Sequence, residues 1–275
     1  MPKNGDEKKR LVLLDAHAII HRAYHALPDF TSPAGEPTGA LYGLSSMLLR
    51  IIDDLTPTYL AACYDLPKPT VRHEAYADYK GTRSKTDDLL VAQIQSSRRV
   101  FEAFGIPIYE REGFEADDIL GTIAEAYKKD ANLEIIIASG DMDTLQLIDG
   151  ERVLVYTLKK GLNDTILYDA AAVQARYGFP PELIPDYKGL RGDPSDNLPG
   201  VPGVGEKTAA RIIESATSHG SCVTGIAVLP TQRGLKPFMR AGPADGFPVS
   251  EINDMRSTAE GVHVIGVYES LLHRA

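Results

Sequence analysis

Cysteine is scarce: the 275-residue chain has two, Cys63 and Cys222. Two cysteines build neither a disulfide framework nor a cysteine-based zinc site. Cys63 lies inside the apolar run Tyr59–Tyr64 and is expected to be a buried free thiol. An apolar leader is also lacking. The first ten residues are polar and charged, and no run of about 18 apolar residues would span a bilayer. The expectation is a soluble, cytoplasmic protein of a reducing compartment with no membrane partner. Nor is there an excess of positive charge: the formal net charge is -9. Taken alone, that argues against nucleic acid as a partner. It does not do so if the acids are gathered at a metal site, where bound cations offset them. Finally, no phosphate loop is present. Residues 198–209 carry glycines at 200, 203 and 205, but Glu206 stands where the G-x-x-x-x-G-K-[ST] pattern needs Lys, and no strand precedes it.

What is there is an ordinary globular mix, 43% apolar and 24% charged, enough for a sizeable core. The chain is organised around Gly113–Leu120, which puts Glu115, Asp117 and Asp118 within four positions. Ile119, Leu120, Ile123, Ala124 and Tyr127 follow at helical spacing, so a helix starts near Glu115 or Ala116. Glu115 and Asp118 then share a face, with Asp117 about 100° round the axis. Acids in a first helical turn are commonly nothing more than partners for orphan N–H groups and the helix dipole. What weakens that reading here is company. Asp15, Asp65 and the pair Asp141 and Asp143 each follow an apolar run, and Asp193 and Asp196 come later.

The runs themselves read as buried strands: Leu11–Leu14, Tyr59–Tyr64, Ile106–Tyr109, Glu134–Ala138 and Val153–Tyr156. Pro107 makes a central place for the third less favourable. Helical patterns separate them, over 18–27, from Gly39 to Leu55, over 87–104 ending at Gly105, and from Glu115, with a short helix at 144–147. The alternation predicts an α/β fold with a mostly parallel sheet covered on both faces. Ligands bind such sheets beyond the carboxyl ends of the strands, where Asp15, Asp65 and Asp141 fall. His17, His21 and His25 recur at i, i+4, i+8; without a Glu or Cys partner they read as a half-exposed face rather than a zinc site.

Residues 66–86 have no clear period. They hold Lys68, Arg72, Lys80, Arg83 and Lys85 among Tyr76 and Tyr79. Two readings stay open: a solvated mobile loop, or a basic strip with aromatics that suits phosphates and unstacked bases. After residue 169 the chain turns helical. The Gly203-Val204-Gly205 turn before Glu206 reads as a hairpin whose N–H groups can hold a phosphodiester oxygen. From about 216 a turn-rich stretch has little helical period until 264–272, and its only acids are Asp245, Glu251, Asp254, Glu260 and Glu269. It is expected to form no cooperative part of the fold.

So many carboxylates with so few cysteines select hard cations, Mg²⁺ or Mn²⁺, over zinc. Seven or eight acids are too many for one ion; two ions roughly 3.5–4 Å apart make a phosphoryl-transfer site. With no nucleotide loop and no kinase signature, phosphodiester hydrolysis is the expected reaction.

The motifs Asp15 with His17 and Arg22, Asp65, Arg72–Tyr76, Tyr79-Lys80, Glu115–Asp118, Gly140-Asp141 with Asp143, Gly192–Gly200 and Gly203–Ala209 occur in this order. Together, over residues 11–215, they resemble the 5′-nuclease domain of bacterial DNA polymerase I, a relative of flap endonucleases. The resemblance implies a PIN-like 5′-nuclease fold: a catalytic α/β domain over 1–175 with an arch at 66–86, then a helix-hairpin-helix DNA-binding region over 176–215. Residues 216–275 depart from it and read as an atypical, replaced tail. It further implies a 5′-3′ nuclease acting on DNA with a 5′ flap, nick or RNA primer, associated with the nucleoid, with a separate DNA polymerase as a partner. The implied metal set is Asp15, Asp65, Glu115, Asp117 and Asp118, completed by Asp141, Asp143, Asp193 and Asp196. Asp117, Asp118, Lys80 and Arg83 would serve catalysis. Arg22, Arg72, Tyr79, Lys80, Arg83, Gly203, Gly205, Lys207 and Thr208 would bind DNA, with K⁺ at the hairpin. The alternatives are a DNA-binding module of the same fold without turnover, and a small ribonuclease of related fold, which would need neither arch nor hairpin.

Overall fold

The computed structural model describes residues 8–160, 164–218, 223–231 and 234–241. Cys222, the five tail acids named above and the stretch at 264–272 lie outside the described residues. In chain order the elements are β1 (Lys9–Asp15), α1 (Ala16–Ala26), α2 (Gly39–Leu55), β2 (Tyr59–Cys63), α3 (Val71–Ala75), α4 (Asp88–Ala103), β3 (Ile108–Tyr109), α5 (Ala116–Tyr127) and β4 (Leu133–Ala138). They continue with β5 (Val153–Lys160), β6 (Asp164–Tyr168), α6 (Ala170–Tyr177), α7 (Ile184–Arg191), β7 (Gly192–Asp193), β8 (Leu198–Pro199), α8 (Glu206–Ser218), β9 (Val223–Thr231) and β10 (Gly234–Ala241). Two compact units result: Met1–Lys68 with Ser84–Ala172, and Pro69–Arg83 with Val173–Ala275.

The first unit is built on a six-stranded sheet of order β3-β2-β1-β4-β5-β6. Its first five strands are parallel, and β6 closes one edge antiparallel to β5. Alternate residues of the central strands serve opposite faces. Val12, Leu14 and Ile136 join the large buried cluster with Ile19, Ile20, Leu44, Leu48 and Phe101 from α1, α2 and α4. Leu13, Ile135 and Ile137, fully buried, lie in the strands that α5 covers. Burial on both faces explains why these strands are continuous apolar runs rather than alternating ones. β3, the strand with Pro107 before it, sits at the other edge, where a missing N–H costs no ladder bond.

The strand order reverses between β1 and β4, the switch point at which crossovers leave in opposite directions and open a crevice. The chain therefore delivers Asp15, at the end of β1, and the turn after β4 to one place. β6 was not legible in the sequence: it is a short edge strand with one buried residue, so it lacks the long apolar run that marks its neighbours.

In the second unit, α3 gives local structure to a strip that shows no helical period. It is one turn long and closed by a capping box between Thr70 and His73. β7 and β8 pair antiparallel, Gly192 with Pro199 and Asp193 with Leu198. Their backbones touch: a Cβ on Gly200 would run into Arg191 and Gly192, and one on Gly192 into Leu198 and Gly200. Both positions need glycine for close approach. α7 and α8 pack together, and Ala209 and Ile213 of α8 are fully buried. The backbone of β9 and β10 forms an antiparallel hairpin that touches α7.

Among the described residues, no helix is long and apolar enough to cross a membrane.

Candidate active site

Asp15 is at once the last residue of β1 and the N-cap of α1, so the strand end and the helix start fix it from both sides. One carboxylate oxygen accepts the Ala18 N–H at 3.0 Å, and the other accepts the Ser139 hydroxyl at 2.6 Å. Ser139 follows β4 directly, and its Oγ in turn accepts the Asp141 N–H at 2.9 Å. One hydroxyl thus ties the ends of β1 and β4 together across the switch point. Asp141 caps the 3₁₀ turn Met142–Leu147 by accepting the Asp143 N–H, and Asp143 is half-buried on that turn.

From β2, Asp65 reaches α5: its Oδ1 accepts the N–H of Ala116 at 2.7 Å. Its own N–H donates to His17 Nδ1 at 3.2 Å, which leaves the His17 proton on Nε2 in that arrangement. The first turn of α5 has orphan N–H groups that need partners. Asp65 satisfies one. Glu115 and Asp118 satisfy others through a reciprocal capping box, in which Asp118 Oδ2 accepts the Glu115 N–H at 2.9 Å. Glu115 and Asp118 thus both serve as caps of α5. Asp118 turns back to cap. Asp117, one residue earlier, joins the carboxylates at the strand ends.

The electrostatics show that convergence. Desolvation is the largest influence on Asp117 and pushes its carboxyl well above the usual range; the charges of Asp15, Asp141, Asp65 and Glu115 push it further. Asp15, which is 5% exposed, is raised to about 6, first by burial and then by Asp65 and Asp141, against the lowering effect of Ser139 and Ala18. The neighbouring Cys63 thiol is pushed up to about 12 by burial and by Asp15, Asp117 and Asp65. Asp15 and Asp117 thus sit desolvated among like charges, which costs stability unless something positive joins them. The donors are oxygens, the preference of hard divalent ions, and a thiol held neutral is no competitor for a soft one. The residues fit such an ion.

In the second unit the predicted residues form a different arrangement. Asp193, buried, accepts Lys188 Nζ at 2.6 Å and the Ser195 N–H at 3.0 Å. Burial raises its carboxyl, but Lys188 and Ser195 outweigh that and hold it below the ordinary range. Asp196 accepts Arg83 Nη2 at 2.7 Å and the Tyr79 hydroxyl at 3.1 Å. Here each acid already has a cation. Tyr79 is buried, in a T-shaped contact with His73 at 5.1 Å and with the Lys80 ammonium over its ring. Arg22 and Arg72 are half-buried. Gly203, at φ 82°, opens the turn into α8, and Gly203, Gly205, Lys207 and Thr208 are all exposed.

Sequence reasoning missed Ser139 and His17 as supports of the acids. The Ser-Gly-Asp run straight after a strand was the signal for the first, and a His two residues after Asp15 for the second.

A parallel α/β sheet that gathers carboxylates at its switch point, followed by a helical module with a glycine hairpin, is a PIN-like 5′-nuclease fold. Residues 10–178 match the model of the 5′-3′ exonuclease N-terminal resolvase-like domain, and residues 179–236 that of the 5′-3′ exonuclease C-terminal SAM fold. The chain belongs to the 5′-3′ exonuclease family. The second match runs past residue 215, where the resemblance had been read to end. DNA polymerase I of Bacillus caldotenax is 44% identical over 206 residues, 75% of this chain and 23% of its own. That of Bacillus subtilis is 42% identical over 212 residues, 77% and 24%. That of Mycobacterium tuberculosis is 39% identical over 256 residues, 92% and 28%. The chain spans about a quarter of the length of these relatives. In fold it is similar to a T5 5′-exonuclease with bound divalent metal ions (zinc), TM-score 0.60 at 21% identity over 75% of each chain. A bacteriophage T5 flap endonuclease in complex with DNA and metal ions gives TM-score 0.60 at 20% identity, again over 75% of each.

Proposed function

We propose that this chain is a divalent-metal-dependent 5′-3′ exonuclease and structure-specific flap endonuclease. It would hydrolyse DNA phosphodiesters, and those of RNA primers, in replication and repair. The observation that carries the reading is the gathering of acids at the switch point, where burial and the charges of neighbouring carboxylates hold Asp15 and Asp117 above the usual carboxylate range. Asp15, Asp65, Glu115, Asp117 and Asp141 would hold Mg²⁺ or Mn²⁺, and the reading assigns Asp118, Asp143, Asp193 and Asp196 to the same work. Such ions supply charge compensation and Lewis acidity toward a phosphodiester. The rest falls to the chain. Ser139 and the Ala18 N–H fix both oxygens of Asp15, and Ala116 fixes one of Asp65, so the ligands are oriented before substrate arrives.

Lys80 and Arg83 are the cations this reading gives to the phosphate being cut. Arg22 and Arg72 would hold neighbouring phosphates. The exposed turn at Gly203 and Gly205, with Lys207 and Thr208, would grip duplex DNA at a helix N-terminus, together with K⁺. The DNA and metal ions of the T5 relatives support this reading, and a polymerase partner and a cytoplasmic, nucleoid-associated setting go with it. A 5′-labelled flap incubated with the protein tests it: cleavage in Mg²⁺ or Mn²⁺ and none in excess chelator is expected. Undiminished cleavage in chelator would overturn the metal dependence. Tight binding without cleavage in either condition would favour the DNA-binding module.

A further inference from the structure

The turn that carries Lys80 is held by the turn at Pro194–Asn197 through five hydrogen bonds, all inside the second unit. The Lys80 N–H donates to the Asp196 carbonyl at 2.9 Å. Arg83 donates from Nε to the Ser195 carbonyl at 3.1 Å and from Nη2 to the Asp196 carboxylate at 2.7 Å, and the Tyr79 hydroxyl reaches the same carboxylate. In the opposite direction, Asn197 Nδ2 donates to the Asp78 carbonyl at 2.7 Å. That carbonyl also accepts the Gly81 N–H at 2.9 Å, so both of its lone pairs are engaged.

Two residues here sit in left-handed backbone without being glycine: Lys80 at φ 56° and Asn197 at φ 57°. Asn tolerates that region, because its short amide finds local partners. Lys carries no short amide to bond its own backbone, and the Lys80 ammonium lies over the Tyr79 ring. A strained Lys persists only where its surroundings over-determine it, and the surroundings that do so are the bonds just named, on either side of it at Asp78 and on its own N–H. The Lys80 side chain therefore leaves the backbone in a direction that an ordinary right-handed or extended turn would not give.

We infer that Asn197 is a positioning residue: its amide, bonded to the Asp78 carbonyl, fixes the left-handed turn that aims the Lys80 ammonium. The inference rests on the proposed nuclease reading, in which Lys80 acts on the phosphate being cut. Asn197 touches no substrate and works through Lys80 alone.

Two variants separate the amide from the backbone. Asn197→Gly keeps the left-handed φ and loses the amide; Asn197→Asp keeps the shape and loses the N–H donor. Each is expected to lower the single-turnover cleavage rate about 10- to 100-fold, the loss that a misplaced catalytic group brings, with the flap dissociation constant within about twofold of wild type. In a Lys80→Ala background the same variants should add nothing, because the group they aim is gone. Amide exchange at Lys80 should quicken in Asn197→Gly while α7 and α8 keep their protection. Unchanged rates, equal losses of rate and affinity, or full additivity with Lys80→Ala would each overturn the positioning role while leaving the nuclease reading intact. A wild-type chain that cuts no flap would instead sink the nuclease reading, and this role with it.

Discussion

Ser139 carries more of the site than its single hydroxyl suggests. It donates to Asp15 and accepts from the backbone of Asp141, so one side chain sets the spacing of two proposed ligands. Outer partners of this kind typically cost about 10- to 100-fold in metal affinity when removed. Ser139→Ala should therefore raise the Mn²⁺ concentration needed for half-maximal cleavage by about that factor, with saturating Mn²⁺ restoring most of the rate; calorimetric Mn²⁺ binding should weaken in step. Lys80 behaves differently. A cation aimed at charge that develops in the transition state is worth ~2.7–4 kcal/mol, whereas a phosphate contact elsewhere mainly changes affinity and its salt slope. Lys80→Ala should cut the single-turnover rate far more than it raises the flap dissociation constant, and equal losses would reduce Lys80 to a tether. At this scale the sequence was legible for the acids, because a carboxylate just past a buried strand is an unusual place for a surface charge. It was not legible for Tyr79 and Asp118. An aromatic among lysines and an acid in a first helical turn look the same whether they face a ligand or the protein. The packing of His73 against Tyr79 and the cap on Glu115 are visible in the structure alone.

Among the elements, the buried parallel strands and the helices between them follow from hydrophobic runs and periods in the chain, and the edge place of β3 follows from Pro107. The elements that escaped have weak hydrophobic signals. β6 is five residues long at a sheet edge, and α3 is one turn stabilised by a cap rather than by a buried face. β7 and β8 are two residues each; what marks them is the need for two glycines to touch, a property of pairing that no single segment displays. Gly200→Ala tests that pairing. Its Cβ meets backbone rather than the end of a flexible side chain, so the strain has no cheap release and should cost about 1–3 kcal/mol. Chemical denaturation should show the loss. Because β7 leads into Asp193 and the turn that holds Lys80, cleavage should fall as well, even at temperatures where the variant stays folded.

For the molecule as a whole, a net charge of -9 sets the problem that the fold solves. Under the proposed reading, the acids gathered at the switch point favour cations by their own repulsion. In the second unit, basic side chains lie on the strip around Lys80 and Arg83 and at Lys207 after the hairpin. The order of motifs made the family legible over residues 11–215. The extent beyond that was not legible, since the stretch from 216 is turn-rich and shows little helical period. The same arrangement predicts a trade between stability and activity. Neutralising one of the crowded carboxylates, Asp117→Asn, should raise Tm in chelator, and adding Mg²⁺ should stabilise the wild type more than the variant.

The account stands on the carboxylates acting as a metal-dependent hydrolytic centre, and Asp117→Ala tests that claim most directly. Flap cleavage and flap binding should be measured on the same preparation, in saturating Mg²⁺ and in chelator. The predicted result is a cleavage rate lower by orders of magnitude with a dissociation constant close to that of wild type. Cleavage at the wild-type rate by Asp117→Ala would contradict the account.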